Sequence, residues 1–213
     1  MFKLLNNKHI NVSIGIVWLF HVSAIIGISL GYQNWFVSKT PFNLLVQTIL
    51  LALCFSFNTL KKWLIFGGCF ATGMFVEAIG VEHSFLFGSY YYGNNLGVKI
   101  FNVPLLIGVN WAVLVFITAA ISMRMSNNFF IKIIIGATLM VGFDFVMEAV
   151  APTFDFWYFI EGAPPLRNFI TWFLVGSFLH CIFQFYKLTG NYKFALHLYI
   201  AQLIFFTYFK LFL

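Results

Sequence analysis

Charged side chains are scarce in this chain. Of its 213 residues only 8% are Asp, Glu, Lys or Arg, whereas 62% are hydrophobic and 21% are aromatic, and the mean hydropathy is +0.92. A water-soluble protein needs a charged shell around its core, and so few charges cannot supply one for a chain of this length. The composition therefore excludes an ordinary soluble domain and indicates a protein whose solvent is lipid.

The sequence motifs of several common function classes are also missing. There is no GxGxxG, no GxxxxGK[ST] and no HExxH, and the three cysteines include no CxxC pair, so we interpret them as small core residues. The net charge of +6 comes from twelve Lys and Arg residues dispersed near the ends of apolar runs. This pattern is typical of contacts with lipid headgroups rather than with nucleic acid. We expect no cofactor, no metal ion and no nucleic-acid partner.

Seven apolar runs are long enough to cross a hydrocarbon core of about 30 Å as helices. They span residues 10–30, 42–60, 63–81, 104–123, 129–151, 168–187 and 193–212. We predict an all-α, polytopic membrane helix bundle of about seven transmembrane helices, forming one domain over residues 1–213. The second and third runs are predicted to form a hairpin around Lys61 and Lys62.

The distribution of basic residues predicts an orientation in the cell (inner) membrane. Eight Lys and Arg residues fall on one side of the predicted bundle and four on the other, which favours a cytoplasmic N-terminus and a non-cytoplasmic C-terminus. In this topology all six acidic residues lie toward the non-cytoplasmic side, together with the two long aromatic loops 82–103 and 152–167. The sequence therefore predicts a pocket that opens near the outer leaflet.

Asp144 and Glu148 are the central pair of candidate residues. They are four residues apart in the run 129–151, so on a helix they share one face with their Cβ atoms about 5–6 Å apart. A charge inside a membrane span costs about 2.5–3.5 kcal/mol on insertion scales, and two carboxylates this close do not readily ionise together. We expect the pair to hold a proton at neutral pH, which favours acid–base chemistry; a structural hydrogen-bonded pair is the alternative.

Glu77 is the third candidate carboxylate. It follows Cys69 and Gly73 at four-residue steps, and small residues on one stripe of a helix allow neighbouring helices to approach closely. We therefore expect Glu77 to face the interior of the bundle and not the lipid. Its role is either catalytic or a structural hydrogen bond to a neighbouring helix.

The predicted topology brings several other polar and aromatic side chains to the level of these carboxylates. They are Asn110, Asn168, Trp111, Tyr91, Trp157, Glu82, His83, Asp155 and Arg167. Asn110 and Asn168 are suited to position a water molecule or a carboxylate. The aromatic residues are first of all interfacial belt residues, and aromatic faces in a pocket also stabilise cations.

The charged members of this group have competing interpretations. Glu82 and His83 lie at the predicted membrane boundary, where they form either a proton shuttle or a solvated pair. Arg167 is expected to be the counter-charge of Asp155 or Glu161.

Two segments carry a resemblance to a known family. The segment EAIGVEHSFLFGSYYYGNNLGVKIFNVPLLIGVNW (Glu77–Trp111) resembles the signature of bacterial and archaeal carotenoid biosynthesis membrane proteins, and DFVMEAVAPTFDFWYFIEGAPPLRNFITW (Asp144–Trp172) is similar to their second block. Known members are carotenoid hydratases, of the carotenoid 1′,2′-hydratase and bisanhydrobacterioruberin hydratase kind. The resemblance implies addition of water across the terminal double bond of an acyclic carotenoid end, leaving a tertiary alcohol.

The implied chemistry assigns roles to the acidic residues. Hydration of an unactivated alkene begins with protonation, and water then captures the tertiary carbocation. On this hypothesis Asp144 and Glu148 form the proton-donating pair, Glu77 activates the water, and Asn110 or Asn168 positions it. The implied partners are a membrane-embedded carotenoid such as lycopene or γ-carotene, the lipid bilayer, and other carotenoid biosynthesis enzymes.

Two other functions remain open at the level of sequence. A lycopene-type cyclase begins with the same protonation, but an internal double bond then captures the cation in place of water. A proton-coupled transporter also needs carboxylates inside the membrane, although no internal repeat is evident in the sequence.

Overall fold

The computed structural model describes residues 2–212, with side chains from residue 8 onward. This part of the chain forms eight helices and four short strands. The helices are α1 (Phe2–Ser29), α2 (Gln33–Val37), α3 (Thr40–Cys54), α4 (Leu60–His83), α5 (Leu105–Met125), α6 (Phe129–Glu148), α7 (Leu166–Phe185) and α8 (Tyr192–Phe212). The strands are β1 (Tyr90–Tyr92), β2 (Lys99–Ile100), β3 (Val103–Pro104) and β4 (Trp157–Phe159). The predicted all-α, polytopic bundle is confirmed.

Six helices of the described residues, α1 and α4 to α8, are long and apolar enough to cross a membrane. The helix formed by the predicted run 42–60 is shorter than expected. This helix, α3, has only 15 residues and covers about 22 Å at 1.5 Å per residue. Yet α1 and α8 run parallel, since Trp18 contacts His197 and Ser29 contacts Tyr208. The first and last helices can be parallel only if the chain crosses the bundle an odd number of times. The six long helices give six crossings, so α3 provides the seventh.

The turn between α3 and α4 lies earlier than predicted. Lys61 and Lys62 belong to the first turn of α4, and the chain reverses over residues 55–59, where Ser56 has a φ of +50°. Lys62 donates hydrogen bonds to the backbone carbonyls of Phe55 and Ser56. These carbonyls follow the last turn of α3, so a basic side chain from the next helix satisfies them.

Helix α5 occupies the centre of the bundle. In its most apolar stretch 83% of the residues are buried, against 28–39% in the corresponding stretches of the other five long helices. It contacts α3, α4, α6, α7 and α8, so it is surrounded by protein and not by lipid. Residues near the start of α5 therefore lie in the interior of the bundle.

Two small antiparallel sheets organise the long loops, where no strands were predicted. In the first sheet β1 pairs with β4, placing Tyr90 opposite Phe159 and Tyr92 opposite Trp157. In the second, β2 pairs with β3 just before α5. The first sheet joins the loop after α4 to the loop after α6, so the two aromatic loops lie together at one end of the bundle, as expected.

The cysteines are all free, but they do not share one environment. Cys69 is buried, Cys54 is half-buried and Cys181 is exposed. The interpretation as core residues is therefore right for Cys69 and wrong for Cys181, which lies on the outer face of α7. An apolar run buried in lipid gives no pattern that separates the two faces of a helix.

Candidate active site

Asp144 and Glu148 lie on the inner face of α6, with only 1% and 8% of their surface exposed. Gly136 and Met140 precede them on the same buried stripe. The side-chain amide of Asn168 on α7 donates to both carboxylates, at 2.8 Å from Asp144 Oδ2 and 3.2 Å from Glu148 Oε1. A single amide group therefore bridges the pair.

The two carboxylates of this pair differ in their hydrogen bonding. Glu148 accepts at both oxygens, because the indole N–H of Trp157 lies 2.7 Å from Oε2. Asp144 Oδ1 is buried and has no hydrogen-bond partner among residues 8–212. A buried carboxylate is costly when it is ionised and one of its oxygens lacks a donor, whereas a protonated carboxyl group carries no charge. The arrangement therefore suits an ionised Glu148 beside a protonated Asp144.

Glu77 lies on α4, where it is 4% exposed, which confirms that it faces the bundle. Its Oε2 atom accepts from the hydroxyls of Tyr90 and Tyr92 at 2.6 and 2.7 Å, and Oε1 accepts from the indole N–H of Trp111 at 2.9 Å. Three donors converge on this carboxylate, and hydrogen bonds of this kind stabilise its ionised form.

Small residues on α4 allow the donors to approach Glu77. A Cβ atom added to Gly73 would lie 2.7 Å from Trp111 Cβ, and one added to Gly80 would lie 2.4 Å from a ring carbon of Phe87 and 3.0 Å from the hydroxyl oxygen of Tyr90. The close packing of α5 and of the following loop against α4 thus depends on glycines on either side of Glu77.

All three carboxylates line one small cavity of about 20 Å³. A cavity needs roughly 10–15 Å³ of probe-occupied volume to hold one water molecule, so this one has room for about one. The polar side chains that complete its wall come from α5, α7, β1 and β4. They are Asn110, Trp111, Asn168, Tyr90, Tyr92, Trp157 and Trp172.

A second, much larger cavity of about 550 Å³ adjoins the small one. Ile107, Asn110, Met147 and Trp157 line both cavities. The wall of the large cavity is mainly apolar and comes from α1, α2, α3, α5, α6 and α8 together with the loop before β4. The lining residues Leu19, Trp35 and Phe42 are each more than half exposed, so they mark its opening on the outer surface of the bundle.

Five of the sequence-predicted residues lie outside both cavities. Glu82, His83 and Arg167 are exposed. Tyr91 is 54% exposed and stacks on Tyr158. Asp155 accepts from the backbone N–H of Asn94 and from the hydroxyl of Tyr158, both at 3.0 Å, so it joins the two loops. The structure brings the other seven predicted residues together around the small cavity.

Sequence reasoning missed Tyr90, Tyr92 and Trp172. It selected Tyr91 from the run of three tyrosines, but in a strand alternate side chains point to opposite faces, and the two outer tyrosines point inward. Burial raises the pKa of Tyr90 and of Tyr92 well above the usual value, and the adjacent Glu77 carboxylate is the next largest cause. Both phenols therefore remain protonated donors at physiological pH.

The carboxylates are not arranged as a metal centre. Among the described residues no three His, Cys, Asp or Glu side chains are grouped so that they could hold a metal ion. The donors around the carboxylates are amide, indole and phenol groups. The arrangement is suited to holding, donating and accepting protons next to an apolar cavity.

The site lies within the part of the chain that matches a known protein family. A family model described as carotenoid biosynthesis protein matches residues 39–213. The match includes α3 to α8 and both aromatic loops, and α1 and α2 precede it. No curated protein and no solved structure matches the chain.

Proposed function

Because the chain belongs to the carotenoid biosynthesis protein family, we propose that it is a carotenoid hydratase, a hydro-lyase that adds water across the terminal double bond of an acyclic carotenoid end. The observation that carries this proposal is the meeting of three carboxylates at one water-sized cavity beside a large apolar cavity. An alkene hydratase for a lipid-soluble polyene needs these parts: a buried acid, a base, space for water, and an apolar site for the substrate.

Asp144 is the proton donor in this proposal. Its Oδ2 atom is held by Asn168, while Oδ1 has no partner among residues 8–212 and so is available to carry the proton. Transfer of this proton to the less substituted alkene carbon leaves a tertiary cation on the other carbon and a carboxylate on Asp144. The two electrons of the double bond form the new C–H bond.

Two further carboxylates stabilise this cation. Glu148 and Glu77 each accept hydrogen bonds at both oxygens, so they remain in place as the positive charge develops. Fixed charges that are already oriented toward a developing charge lower the barrier without reorganisation. The indole faces of Trp111 and Trp157 border the same cavity and add cation–π stabilisation.

Glu77 is the base that activates water. A carboxylate offers about four lone-pair sites, and protein donors occupy three of those on Glu77, which leaves one for a water molecule in the cavity. Asn110 lines both cavities and positions this water. The water oxygen bonds to the cation, its proton passes to Glu77, and return of that proton to Asp144 completes the net addition of one H₂O.

The substrate reaches the site from the bilayer. The opening of the large cavity carries Leu19, Trp35 and Phe42 on the outer surface of the bundle, where a polyene dissolved in lipid would meet it. The apolar walls then lead the terminal double bond to the shared wall of Asn110 and Trp157.

Expression in a lycopene-producing host and in a γ-carotene-producing host tests the proposal. We expect a new, more polar pigment that is heavier by one water molecule, and the host that responds identifies the substrate. An isomer of unchanged mass and altered absorption would instead make the protein a cyclase. Unchanged pigments in both hosts, with the protein present in the membrane, would overturn the enzyme assignment and favour a transporter.

The proposed orientation places the active site toward the outer leaflet of the cell (inner) membrane. Its support is the excess of Lys and Arg at the end of the bundle opposite the aromatic loops. Reporter fusions test it: a C-terminal alkaline phosphatase should be active and a C-terminal fluorescent reporter dark. The reverse result would place the site on the cytoplasmic side.

A further inference from the structure

The large cavity contains a group of polar side chains that the proposed chemistry does not use. Gln47 on α3 and Gln202 on α8 both line it and are only 3% and 6% exposed. His21 on α1 and Asn43, one turn before Gln47, line the same cavity. Polar side chains inside a membrane bundle are costly, so each needs a partner.

The partners inside the protein are incomplete. Gln202 Nε2 donates to Gln47 Oε1 at 2.8 Å, which uses one donor and one acceptor. Gln202 Oε1 and Asn43 Oδ1 are buried without a hydrogen-bond partner in the described part of the chain. A bond between α3 and α8 alone would account for the two glutamines as links between helices, but it leaves these two oxygens unsatisfied.

The histidine adds an acceptor to the same wall. His21 Nδ1 lies 2.7 Å from the carbonyl oxygen of Val17, and a carbonyl oxygen only accepts, so Nδ1 carries the hydrogen. In the neutral ring Nε2 is then an acceptor. The group as a whole therefore places unsatisfied acceptors on residues that line a mainly apolar cavity.

We propose that Gln47 and Gln202, with His21 and Asn43 beside them, form a subsite that binds a hydroxyl group carried by a polyene. A hydroxyl donates one hydrogen bond and accepts others, so it satisfies the free oxygen of Gln202. The terminal torsion of glutamine is soft, and a small rotation turns that oxygen toward the ligand. The subsite rests on the proposed function only in that the ligand is a polyene.

Two sources of the hydroxyl share this chemistry. It is either the tertiary alcohol formed by hydration, bound as the product leaves through the cavity, or a hydroxyl already present near the reacting end of the substrate. In both cases the subsite distinguishes an alcohol from the corresponding hydrocarbon, because a buried amide left without its partner penalises the hydrocarbon.

Binding to the purified full-length protein in lipid nanodiscs tests the subsite. The probes are a linear polyene hydrocarbon, the same polyene with a tertiary hydroxyl at its end, and one with a hydroxyl close to an intact terminal alkene. Quenching of tryptophan fluorescence measures affinity. We expect the wild type to prefer at least one alcohol about tenfold over the hydrocarbon, as one or two hydrogen bonds provide, and Gln202→Met to abolish the preference.

A matched control comes from another buried glutamine. Gln184 is 8% exposed and its Nε2 also has no partner among the described residues, but it lines neither cavity. Gln184→Met should keep the preference for the alcohol. Gln47→Met should lose it, as Gln202→Met does, and agreement between these two variants would show that the loss is not due to instability of one of them.

The outcomes separate this subsite from the proposed activity. The alcohol whose affinity falls in Gln202→Met identifies the source of the hydroxyl. A preference in a protein that makes no hydrated pigment would retain the subsite and reject the hydratase. Equal affinity of the wild type for all three probes, or an equal loss in Gln184→Met, would overturn the subsite even if hydration is observed.

Discussion

The indole ring of Trp111 is stacked on that of Trp172, with 3.9 Å between the ring centroids and 15° between the ring planes. Trp111 lies on α5, and Trp172 lies one turn after Asn168 on α7. The stack therefore joins two helices that each carry a donor to the carboxylates. Because the Trp111 ring also donates to Glu77, the stack fixes the direction of that donor.

Trp172→Leu should impair both stability and activity. Loss of a large buried aromatic side chain typically costs about 3–5 kcal/mol when it is replaced by alanine, and leucine should cost less. The loosened Trp111 should lower product formation about tenfold. Trp172→Phe retains a ring for stacking, so its stability and product formation should lie between those of the wild type and those of Trp172→Leu. Thermal unfolding in detergent and pigment yield measure the effects; an unchanged yield in Trp172→Leu would show that the stack does not position the donor.

Asp144→Asn should abolish hydrated pigment while leaving the protein in the membrane. The amide cannot deliver the proton, and a positioned general acid contributes about 10²–10⁴-fold to a rate. Glu161→Gln is the matched control, because Glu161 is exposed in the loop before α7 and its variant should retain wild-type yield. Pigment yield per unit of membrane protein is the measurement. Full activity of Asp144→Asn would remove Asp144 from the mechanism.

Tyr92→Phe and Tyr91→Phe test which tyrosines act on Glu77. Tyr92→Phe removes one hydrogen bond to a charged acceptor, worth about 1.5–3 kcal/mol, so product formation should fall about tenfold or more. Tyr91 is exposed and stacks on Tyr158, so Tyr91→Phe should have no effect. The opposite order of the two variants would contradict the inward orientation of Tyr92.

Asn168→Leu should disable the carboxylate pair. It removes the amide that donates to both Asp144 and Glu148, and it leaves their oxygens buried without that partner. We expect product formation to fall at least tenfold. Asn127→Leu, an exposed position between α5 and α6, controls for the loss of an amide. Equal yields of the two variants would show that the bridge has no catalytic role.

Gly93→Ala should separate the two aromatic loops. A Cβ atom at this position would lie 2.2 Å from Asp155 Oδ1 and 2.3 Å from its backbone oxygen, and backbone cannot move aside without disturbing the β1–β4 sheet. Thermal stability and pigment yield should both fall. Gly15→Ala, where nothing lies within 4 Å, should leave both unchanged or slightly raise stability, since alanine favours a helix.

The sequence was sufficient to predict what depends on local spacing. The four-residue steps predicted that Glu77 on α4 faces the bundle beside small residues and that Asp144 and Glu148 on α6 share one face, because helical periodicity decides which residues lie on the same face. The apolar runs likewise predicted the bundle. The end of the predicted run 42–60 was wrong, because α3 ends at Cys54 while the apolar run continues into a turn that composition does not mark.

The two tyrosine donors to Glu77 could not be predicted in the same way. Tyr90 and Tyr92 face inward because β1 pairs with β4, more than sixty residues later, and the strand is too short to show a period of two in the sequence. The same pairing brings Trp157 to Glu148. Long-range pairing of short loop strands depends on the packed bundle beneath them, and a run of three tyrosines does not reveal its phase.

The β1–β4 pairing also fixes the distance between two donors to the carboxylates. Tyr92 and Trp157 are directly opposite each other in the ladder, and one donates to Glu77 while the other donates to Glu148. Opposed residues in such a ladder keep their Cβ atoms about 4.5–5.5 Å apart. The spacing between two carboxylates on different helices, Glu77 on α4 and Glu148 on α6, is thus set by a pair of strands in the loops that connect the helices.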